Sequence, residues 1–277
     1  MSDNMPFIAR DISWLSFNER VLQEAKDKTN PLLERLKFLA IYSNNLDEFF
    51  RVRMANHRNL MRVGKKSQKR LEFDPRKMVR AIQKRVNKQQ EEFSRIFEKE
   101  IMPELKQHGI ILKRRLELND EQRNFVEQYF EDSMLPYAQP VLLVQKKIRP
   151  FLNNAALYLS AWLRDKDSSV SKDDYAVVKI PTDYLPRFIK LPSPPNEHHL
   201  ILLDDIVRHE VSWMFPGYEI KDTFSVKLTR DAELYIDDEF SGDLVQKIRN
   251  SLSKRQVGPA SRFVYDREMP EEMLKFL

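Results

Sequence analysis

The sequence contains no cysteine, and this absence excludes several kinds of chemistry. Disulfide bonds, thiolate zinc sites and cysteine nucleophiles all need the missing side chain. Glycine is scarce too, with only 5 residues, at widely separated positions. Neither a Walker A loop nor a dinucleotide-binding fingerprint can be written with that spacing. Phosphate groups would therefore be held by lysine and arginine, or by residues outside this sequence.

Long apolar runs are also missing. No stretch approaches the roughly 18 apolar residues that a membrane span needs. The N-terminus lacks a basic segment followed by an apolar one, so it does not indicate a secretory signal, and we expect a cytoplasmic protein. The 277 residues, of which 42% are hydrophobic, are enough for a buried core and suggest two domains.

Positive charge is present and unevenly distributed. Residues 51–90 hold 14 basic side chains and only 2 acidic ones. A polyanion is a natural partner for such a segment. A solvated helical hairpin explains the same composition, and composition alone favours that simpler interpretation. Aromatic residues are sparse between these charges, so a stacking platform for single-stranded nucleic acid is not indicated.

The first hundred residues have the apolar spacing of helices. Ser13 is the predicted N-cap of the first helix, and Pro31 restarts the chain as a second helix that is apolar on most sides. We predict a break at 42–45 and a third helix from Asn45, whose spacing to Glu48 matches a capping box. Asp74-Pro75 should open a long helix that reaches about residue 100.

The pattern changes after Gly109, where short strands alternate with helices. We predict strands at 110–113, 156–163, 175–180, 188–191, 200–203, 223–228, 233–236 and 263–265. Helices are predicted after Asn119, after Asp204 or Asp205, and over about 242–254. The predicted fold class is α+β overall, with an N-terminal all-α helical bundle over 1–107 followed by a mixed α/β head domain over 108–277. Residues 273–277 look like an unfinished amphipathic helix, and this open apolar end suggests a truncated chain.

Candidate catalytic and metal-binding residues are few. His57 lies among arginines, a poor setting for a metal ion. His198 and His199 would point to opposite faces of a strand, and His209-Glu210 lacks a second histidine at helical spacing. Structural or solvated roles are therefore favoured for the histidines. Acidic pairs at 47–48, 204–205 and 237–239 could bind Mg²⁺, but capping of helix starts is the preferred interpretation.

Residues 11–53 read DISWLSFNERVLQEAKDKTNPLLERLKFLAIYSNNLDEFFRVR. This long run of unusual residue types closely resembles the N-terminal domain of the large, histidine-phosphorylating polyphosphate kinases. Shorter similarities continue at Ile180-Pro181, in LPRF at 185–188, in LTRDAELYID at 228–237 and in RFVYDREMP at 262–270. The resemblance therefore spans nearly the whole chain.

The resemblance implies an enzyme that reversibly transfers the terminal phosphate of ATP to a growing polyphosphate chain through a phosphohistidine. It also implies a head domain that mediates homodimerisation, and two C-terminal domains that resemble phospholipase D. The histidine nucleophile, its histidine partner, the arginines and the Mg²⁺ ligands of the family belong to those C-terminal domains, beyond Leu277. We therefore expect ATP as a substrate, Mg²⁺ only with the missing catalytic domains, and no activity from this chain alone.

One family site falls inside the sequence. Asn45, the second asparagine of YSNNLDEF, matches the residue through which the N-terminal domain contacts the adenine end of ATP. The predicted helix start also gives Asn45 a capping role. An Asn amide has one carbonyl oxygen and two N–H donors, so its oxygen can cap while its NH₂ meets the base. The sequence predicts neither a catalytic residue nor a metal ligand within the chain.

With this resemblance, the basic segment is predicted to attract ATP or polyphosphate at long range, an effect that salt should weaken. Its residues are Arg51, Arg53, Arg58, Arg62, Lys65, Lys66, Lys69, Arg70, Arg76, Lys77 and Arg80. Two alternatives stay open: a non-catalytic basic helical module that binds polyphosphate or nucleic acid, and a purely structural dimerisation piece. Neither a specific nucleic-acid partner nor membrane association is indicated.

Overall fold

The computed structural model describes residues 8–62, 74–143, 151–166, 173–231 and 259–277. The strand predicted at 233–236, the acidic group at 237–239 and the helix predicted over 242–254 lie outside the described residues. By contacts the chain divides into two compact units. The first comprises Met1–His108 with Thr229–Ser261, and the second comprises Gly109–Leu228 with Arg262–Leu277.

The first unit is built mainly from helices that pack around α1. Their bounds are α1 (Arg10–Lys26), α2 (Leu32–Phe49), a π-helical segment (Phe50–Met54), α3 (Ala55–Arg62), α4 (Pro75–Ile96), a second π-helical segment (Phe97–Ile101) and α5 (Met102–Gln107). Helix α1 packs against both α2 and α4, and α3 also packs against α4. The unit therefore has the predicted character of a helical bundle.

The start of α1 differs from the prediction. Ala9 occupies the N-cap position, and the backbone N–H of Ser13 donates to the Ala9 carbonyl inside the first turn. The buried face of this helix contains Leu15 and Asn18, which are fully buried, whereas Phe17 is 49% exposed. Ser13 is exposed on the opposite side and caps nothing.

The predicted break at 42–45 is wrong, because α2 continues without interruption to Phe49. Its buried positions follow a regular spacing of four and three residues, through Arg35, Leu39, Tyr42, Leu46 and Phe49. Helix-disfavouring residues such as Ser and Asn cost only tenths of a kcal/mol each, and packing of such a stripe outweighs that cost.

Two further expectations for α2 fail for the same reason. Asn45 lies in the helix interior and cannot be an N-cap, and Glu48 forms an ion pair with Arg51 at 2.7 Å instead of a capping box. The Asp47-Glu48 pair thus lies near the end of a helix, not at its start. Helix α2 is also less buried than predicted, since Leu33 is 56% and Ile41 is 44% exposed.

The long helix α4 begins as predicted. The Asp74 side chain accepts a hydrogen bond from the Arg76 backbone N–H at 2.9 Å, and Pro75 occupies the first helical position. Helix α5 ends at Gln107, and Gly109 follows in the left-handed region with φ +74°. A Cβ at Gly109 would lie 2.5 Å from the Asn196 carbonyl oxygen, so only glycine fits this turn.

The second unit alternates strands and short helices. The strands are β1 (Ile110–Lys113), β2 (Pro140–Leu143), β3 (Leu157–Asp165), β4 (Asp173–Lys179), β5 (Phe188–Lys190), β6 (His198–Leu202), β7 (Tyr218–Arg230) and β8 (Ala260–Tyr265). The end of β7 from Thr229 and the start of β8 up to Ser261 are counted with the first unit. The helices of the second unit are α6 (Asp120–Tyr129), α7 (Leu203–His209), α8 (Val211–Met214) and α9 (Glu271–Phe276). A π-helical segment (Phe130–Met134) extends α6. Short 3₁₀ turns occupy Arg115–Glu117 and Leu135–Tyr137.

These strands form two sheets. The smaller has the order β1-β6-β5, with β1 parallel and β5 antiparallel to β6. The larger has the order β2-β4-β3-β7-β8, in which β4 pairs antiparallel with β2 and β3, and β3 pairs antiparallel with β7. A register shift between Trp162 and Leu163 marks a bulge against β7. The α+β fold class is therefore as predicted.

The larger sheet is covered on both faces, which explains why β3 alternates only partially in sequence. Leu159, Ala161 and Leu163 pack into a core that also contains side chains of α6, α7 and α8. Tyr158 points to the other face, where Met269 and Met273 are buried. No helix among the described residues is long and apolar enough to cross a membrane.

Two helix ends in this unit refine the predictions. Asn119 caps α6 in a capping box with Gln122, as its sequence position indicated. Asp204 and Asp205 lie in the first turn of α7, but Leu202 is the N-cap residue and neither carboxylate makes a capping hydrogen bond.

The apolar residues at the end of the chain are not open, contrary to expectation. Met273 is fully buried, and the Phe276 ring lies 5.0 Å from that of Tyr175. The last helix therefore completes one face of the larger sheet.

Candidate functional site

Asn45 lies on α2 at the point where this helix faces α1. Its side chain is half-buried, and its Nδ2 donates a hydrogen bond to Asn18 Oδ1 at 3.1 Å. Asn18 is fully buried and donates its own Nδ2 to the Tyr42 carbonyl at 3.2 Å. Two successive hydrogen bonds, from Asn45 to Asn18 and from Asn18 to the Tyr42 carbonyl, therefore fix the Asn45 side chain against the interior of the first unit.

Helix α4 completes this buried amide network, which we define as Asn18, Tyr42, Asn45 and Gln89. The Tyr42 hydroxyl lies 3.4 Å from Gln89 Oε1, to which it donates, and Gln89 Nε2 donates to the Leu15 carbonyl at 3.0 Å. Buried amides are costly unless they are hydrogen-bonded, and each of these has a partner inside the bundle. The network ties α1, α2 and α4 together around Asn45.

The hydrogen bond to Asn18 uses only part of the hydrogen-bonding capacity of the Asn45 amide. One N–H is used by Asn18, and the amide has a second N–H and a carbonyl oxygen. An asparagine amide is the side chain that pairs bidentately with the donor and acceptor edge of adenine. The network holds the Asn45 amide in one orientation.

A second polar cluster joins the start of α1 to α3. Asp11 Oδ2 lies 2.7 Å from His57 Nε2, and Asp11 Oδ1 accepts from Arg53 at 3.1 Å. Arg10 and Asn56 help to line a cavity of about 390 Å³ beside this cluster. His57 is thus engaged by a carboxylate, and its structural role stays a prediction.

A larger groove of about 550 Å³ lies between α1 and α4, and Gln89 is among its lining residues. The charged side chains that line this groove interact with each other. Hydrogen bonds from Arg95, and then from Lys26, lower the pKa of Glu92 to about 2. Glu92 therefore stays ionised near neutral pH and joins α1 to α4 across the groove.

The basic segment divides into paired and outward-facing side chains. Arg53 pairs with Asp11 and Arg85 pairs with Glu19, whereas Arg58 donates to the Ala260 carbonyl. The side chains of Arg62, Lys65, Lys66, Lys69 and Arg70 lie outside the described residues.

On α4 the outward positions form a row that we call the basic stripe. It consists of Arg76, Arg80, Lys84 and Lys88, all exposed and four residues apart. Successive members rise about 6 Å along the helix axis and turn by about 40° around it, so the stripe is a slowly winding row of positive charge. Lys77 is exposed beside it. Like charges at this spacing are mildly destabilising, so helix stability does not account for them.

The remaining histidines occupy different settings. His198 is exposed and His199 is buried, so they point to opposite faces as predicted. His199 contacts Gln122 at 2.8 Å and Glu197 at 2.6 Å. His209 lies near Glu210, as expected from sequence, but also near Glu127 on α6, which sequence analysis did not consider.

Asn18 and Gln89 were also missed from sequence, although a signal existed. Asn18 occurs within the spacing of Leu15, Leu22 and Ala25, and Gln89 occurs within that of Val86 and Ile96. A polar residue at a core position of an amphipathic helix indicates a buried hydrogen-bond partner. Glu127 had no such signal, because its neighbours in space come from a distant part of the chain.

Fold and site together define the class of this protein. It is an α+β protein of two units, with a helical first unit and an asparagine amide held in a fixed orientation on its second helix. Residues 7–113 match the polyphosphate kinase N-terminal domain, and residues 121–277 match the polyphosphate kinase middle domain. The chain therefore belongs to the polyphosphate kinase family.

Individual relatives agree with this assignment. The chain is 37% identical over 288 residues to a polyphosphate kinase of Vibrio parahaemolyticus, covering 100% of this chain and 40% of the relative. It is 35% identical to that of Escherichia coli, with 100% and 40% covered. A crystal structure of polyphosphate kinase from Porphyromonas gingivalis superimposes with a TM-score of 0.81 at 34% identity, covering 99% of this chain and 37% of that one. The chain thus spans about 40% of the length of the curated relatives it matches.

Proposed function

We propose that this chain is the nucleotide-positioning and dimer-forming part of an enzyme that reversibly transfers the terminal phosphate of ATP to polyphosphate. Transfer proceeds through a phosphohistidine outside these 277 residues. Residues 1–107 form the nucleotide-positioning domain, and residues 108–277 form the head domain through which two copies associate. ATP is the substrate, and Mg²⁺ is held by the catalytic domains.

The observation that carries the nucleotide role is the fixed position of Asn45. Its amide is oriented by fully buried Asn18, yet it remains half-exposed at the surface of the bundle. One side of the amide is held by a hydrogen bond to the protein interior, and the other side is accessible to solvent. This is the arrangement expected for recognition of a flat, hydrogen-bonding ring. Capping no longer competes with this role, because Asn45 lies inside a continuous helix.

The basic stripe on α4 supports polyphosphate as the second partner. Its four exposed charges follow one another along one helix, and a phosphate chain carries a succession of negative charges that complement them. Attraction of this kind raises the local concentration of a polyanion and is weakened by salt. The alternative of a non-catalytic polyanion-binding module shares this stripe but needs no role for Asn45.

The test is Asn45→Ala in the full-length enzyme. Loss of a hydrogen bond worth about 1 to 1.5 kcal/mol should raise the KM for ATP roughly 5- to 10-fold. Removing the partner of buried Asn18 should also lower the free energy of unfolding by about 1 kcal/mol. Steady-state kinetics and urea denaturation measure the two effects separately.

Asn44→Ala is the matched control, because Asn44 is the exposed neighbour on the same helix. It should leave both the KM and the stability unchanged. If Asn45→Ala lowers stability while the KM for ATP stays at the wild-type value, Asn45 is purely structural and the nucleotide role is refuted.

A further inference from the structure

Three potential ligand groups meet in the second unit, where α6 passes the junction of α7 and α8. Glu127 lies on α6, His209 is the last residue of α7, and Glu210 follows it. His209 Nε2 lies 3.8 Å from Glu127 Oε1 and 3.7 Å from Glu210 Oε1. One ligand atom from each residue lies within 4.8 Å of the other two.

Two carboxylates and one imidazole share this place, and part of it is removed from water. The Glu210 side chain is only 15% exposed and the His209 side chain 22% exposed. Two negatively charged groups thus face a single imidazole, and a cation held between the three groups would offset the repulsion between the carboxylates.

We propose that Glu127, His209 and Glu210 form a binding site for a divalent transition-metal ion, and that Zn²⁺ suits it best. One imidazole nitrogen and two carboxylate oxygens are three protein ligands of the kind that Zn²⁺ accepts, and a fourth position stays open for water. Mg²⁺ and Ca²⁺ prefer oxygen ligands throughout, so the imidazole disfavours them.

The three donor atoms lie farther apart than the ligands of one Zn²⁺ ion. Tetrahedral Zn²⁺ with ligands at about 2.0 to 2.2 Å places its donor atoms about 3.4 Å apart. The two separations from His209 Nε2, 3.7 and 3.8 Å, are a few tenths of an ångström longer, and the carboxylate oxygens of Glu127 and Glu210 lie within 4.8 Å of each other. The Glu127 side chain is 56% exposed on a helix surface and can rotate to close this gap.

A metal at this site would join two helices that share one core. Val126 on α6 belongs to the same buried apolar cluster as Val207 on α7 and Val211 on α8, so these helices already share one core. Metal ligation would add a cross-link at the rim of that contact. The expected role is structural stabilisation of the second unit, and binding to the folded state should therefore raise the melting temperature.

The competing interpretation is an ordinary ion-pair cluster, in which protonated His209 sits between two carboxylates. Such a cluster attracts cations only through its net charge. In that case, removal of either Glu127 or Glu131 lowers the net negative charge by one and should weaken cation attraction by a similar, small amount. Metal ligation predicts a different result from an ion-pair cluster, because Glu127 and His209 would coordinate the metal ion directly whereas Glu131 would not.

The test is titration of the chelator-treated chain with ZnCl₂ by calorimetry, and with Co²⁺ followed by visible absorption. The wild-type chain should bind one equivalent of Zn²⁺, and Co²⁺ should give the strong absorption of a four-coordinate site. Loss of groups that merely orient metal ligands costs about 10- to 100-fold in affinity. Glu127→Gln and His209→Gln should each lose at least that much.

Glu131→Gln is the matched control, since it removes a neighbouring charge and keeps all three ligands. It should retain the wild-type affinity within about threefold, well below the loss expected for a ligand. Circular dichroism of the metal-free variants establishes folding, and exposed Glu127→Gln decides the result if His209→Gln does not fold. Absence of one-equivalent binding, or an equal loss for Glu127→Gln and Glu131→Gln, overturns the proposal.

Discussion

At the residue scale, a single arginine near the start of α2 connects this helix to the second π-helical segment and to α5. Arg35 is 1% exposed. Its Nε donates to the Ala25 carbonyl at 2.9 Å, and its two terminal nitrogens pair with Glu104 at 2.7 Å and Glu100 at 3.0 Å. The planar fork of the guanidinium serves three acceptors at once, which a lysine ammonium cannot do in the same geometry.

We expect Arg35→Ala to lower the free energy of unfolding by about 3 kcal/mol, because it leaves partly buried carboxylates without their partner. Arg35→Lys should recover only part of this loss. Lys37→Ala is the matched control, since Lys37 pairs with Glu34 on the exposed side of the same helix and should cost under about 0.5 kcal/mol. Chemical denaturation measures all three, and equal stabilities for Arg35→Ala and Lys37→Ala would contradict the assigned role.

The same scale shows what residue patterns can and cannot predict. Asn119 and Asp74 were identifiable as caps because a cap depends only on neighbours three residues away. The bond between Asn45 and Asn18 joins residues 27 positions apart, so no local pattern could indicate it. Asn45 was selected only through family resemblance, and its cap assignment failed because tertiary packing determined the local conformation.

At the element scale, α2 is where prediction and structure differ most. Sequence composition indicated a break at 42–45, whereas the irregularity occurs later, in the π-helical segment at Phe50–Met54. Phe49 stacks on Trp14 at 5.0 Å, and Phe50 meets Phe49 edge-on at 5.8 Å. A π-helical turn rotates subsequent side chains relative to a regular helix, and here it accompanies two adjacent aromatic residues that are both buried.

The basic stripe gives a prediction at this scale. Arg80→Gln combined with Lys84→Gln should weaken polyphosphate binding by the full-length enzyme and reduce the slope of affinity against salt concentration. Fluorescence anisotropy with labelled polyphosphate at two salt concentrations measures both. Each exposed charge near a polyanion is expected to contribute roughly 0.5 to 1 kcal/mol, so a loss of about 5- to 30-fold is expected.

The control for the stripe is Lys28→Gln combined with Lys106→Gln, which removes the same net charge from other exposed positions of the first unit. It should change the affinity much less. If both double variants lose affinity equally, net charge alone governs binding and the stripe has no particular role.

At the scale of the whole molecule, the α+β fold class followed from sequence because helical spacing and short alternating strands are both local signals. Which strands pair was not predictable in this way. Strand β1 lies parallel to β6, which is 88 residues later at the paired positions Ile110 and His198. Pairings of that range depend on the complete fold, as does the meeting of Glu127 with His209.

The division of labour proposed for the chain is testable as a whole. Purified residues 1–277 with ATP and Mg²⁺ should form no polyphosphate, because the groups that transfer phosphate are proposed to lie in other domains. The same sample should sediment as a dimer if the head domain mediates association. Sustained phosphate transfer by the isolated chain would refute the first expectation, and a monomer at micromolar concentration would refute the second.

The buried amide network has a consequence for how the bundle chooses its alignment. Apolar side chains tolerate a helix that slides by one turn, since one leucine can replace another in the same space. Amides do not, because a slide would leave Asn18 and Gln89 facing hydrocarbon with unmet hydrogen bonds. The buried amide network thus disfavours shifted helix alignments that the hydrophobic contacts alone would permit. It favours a single register of α1, α2 and α4 relative to one another.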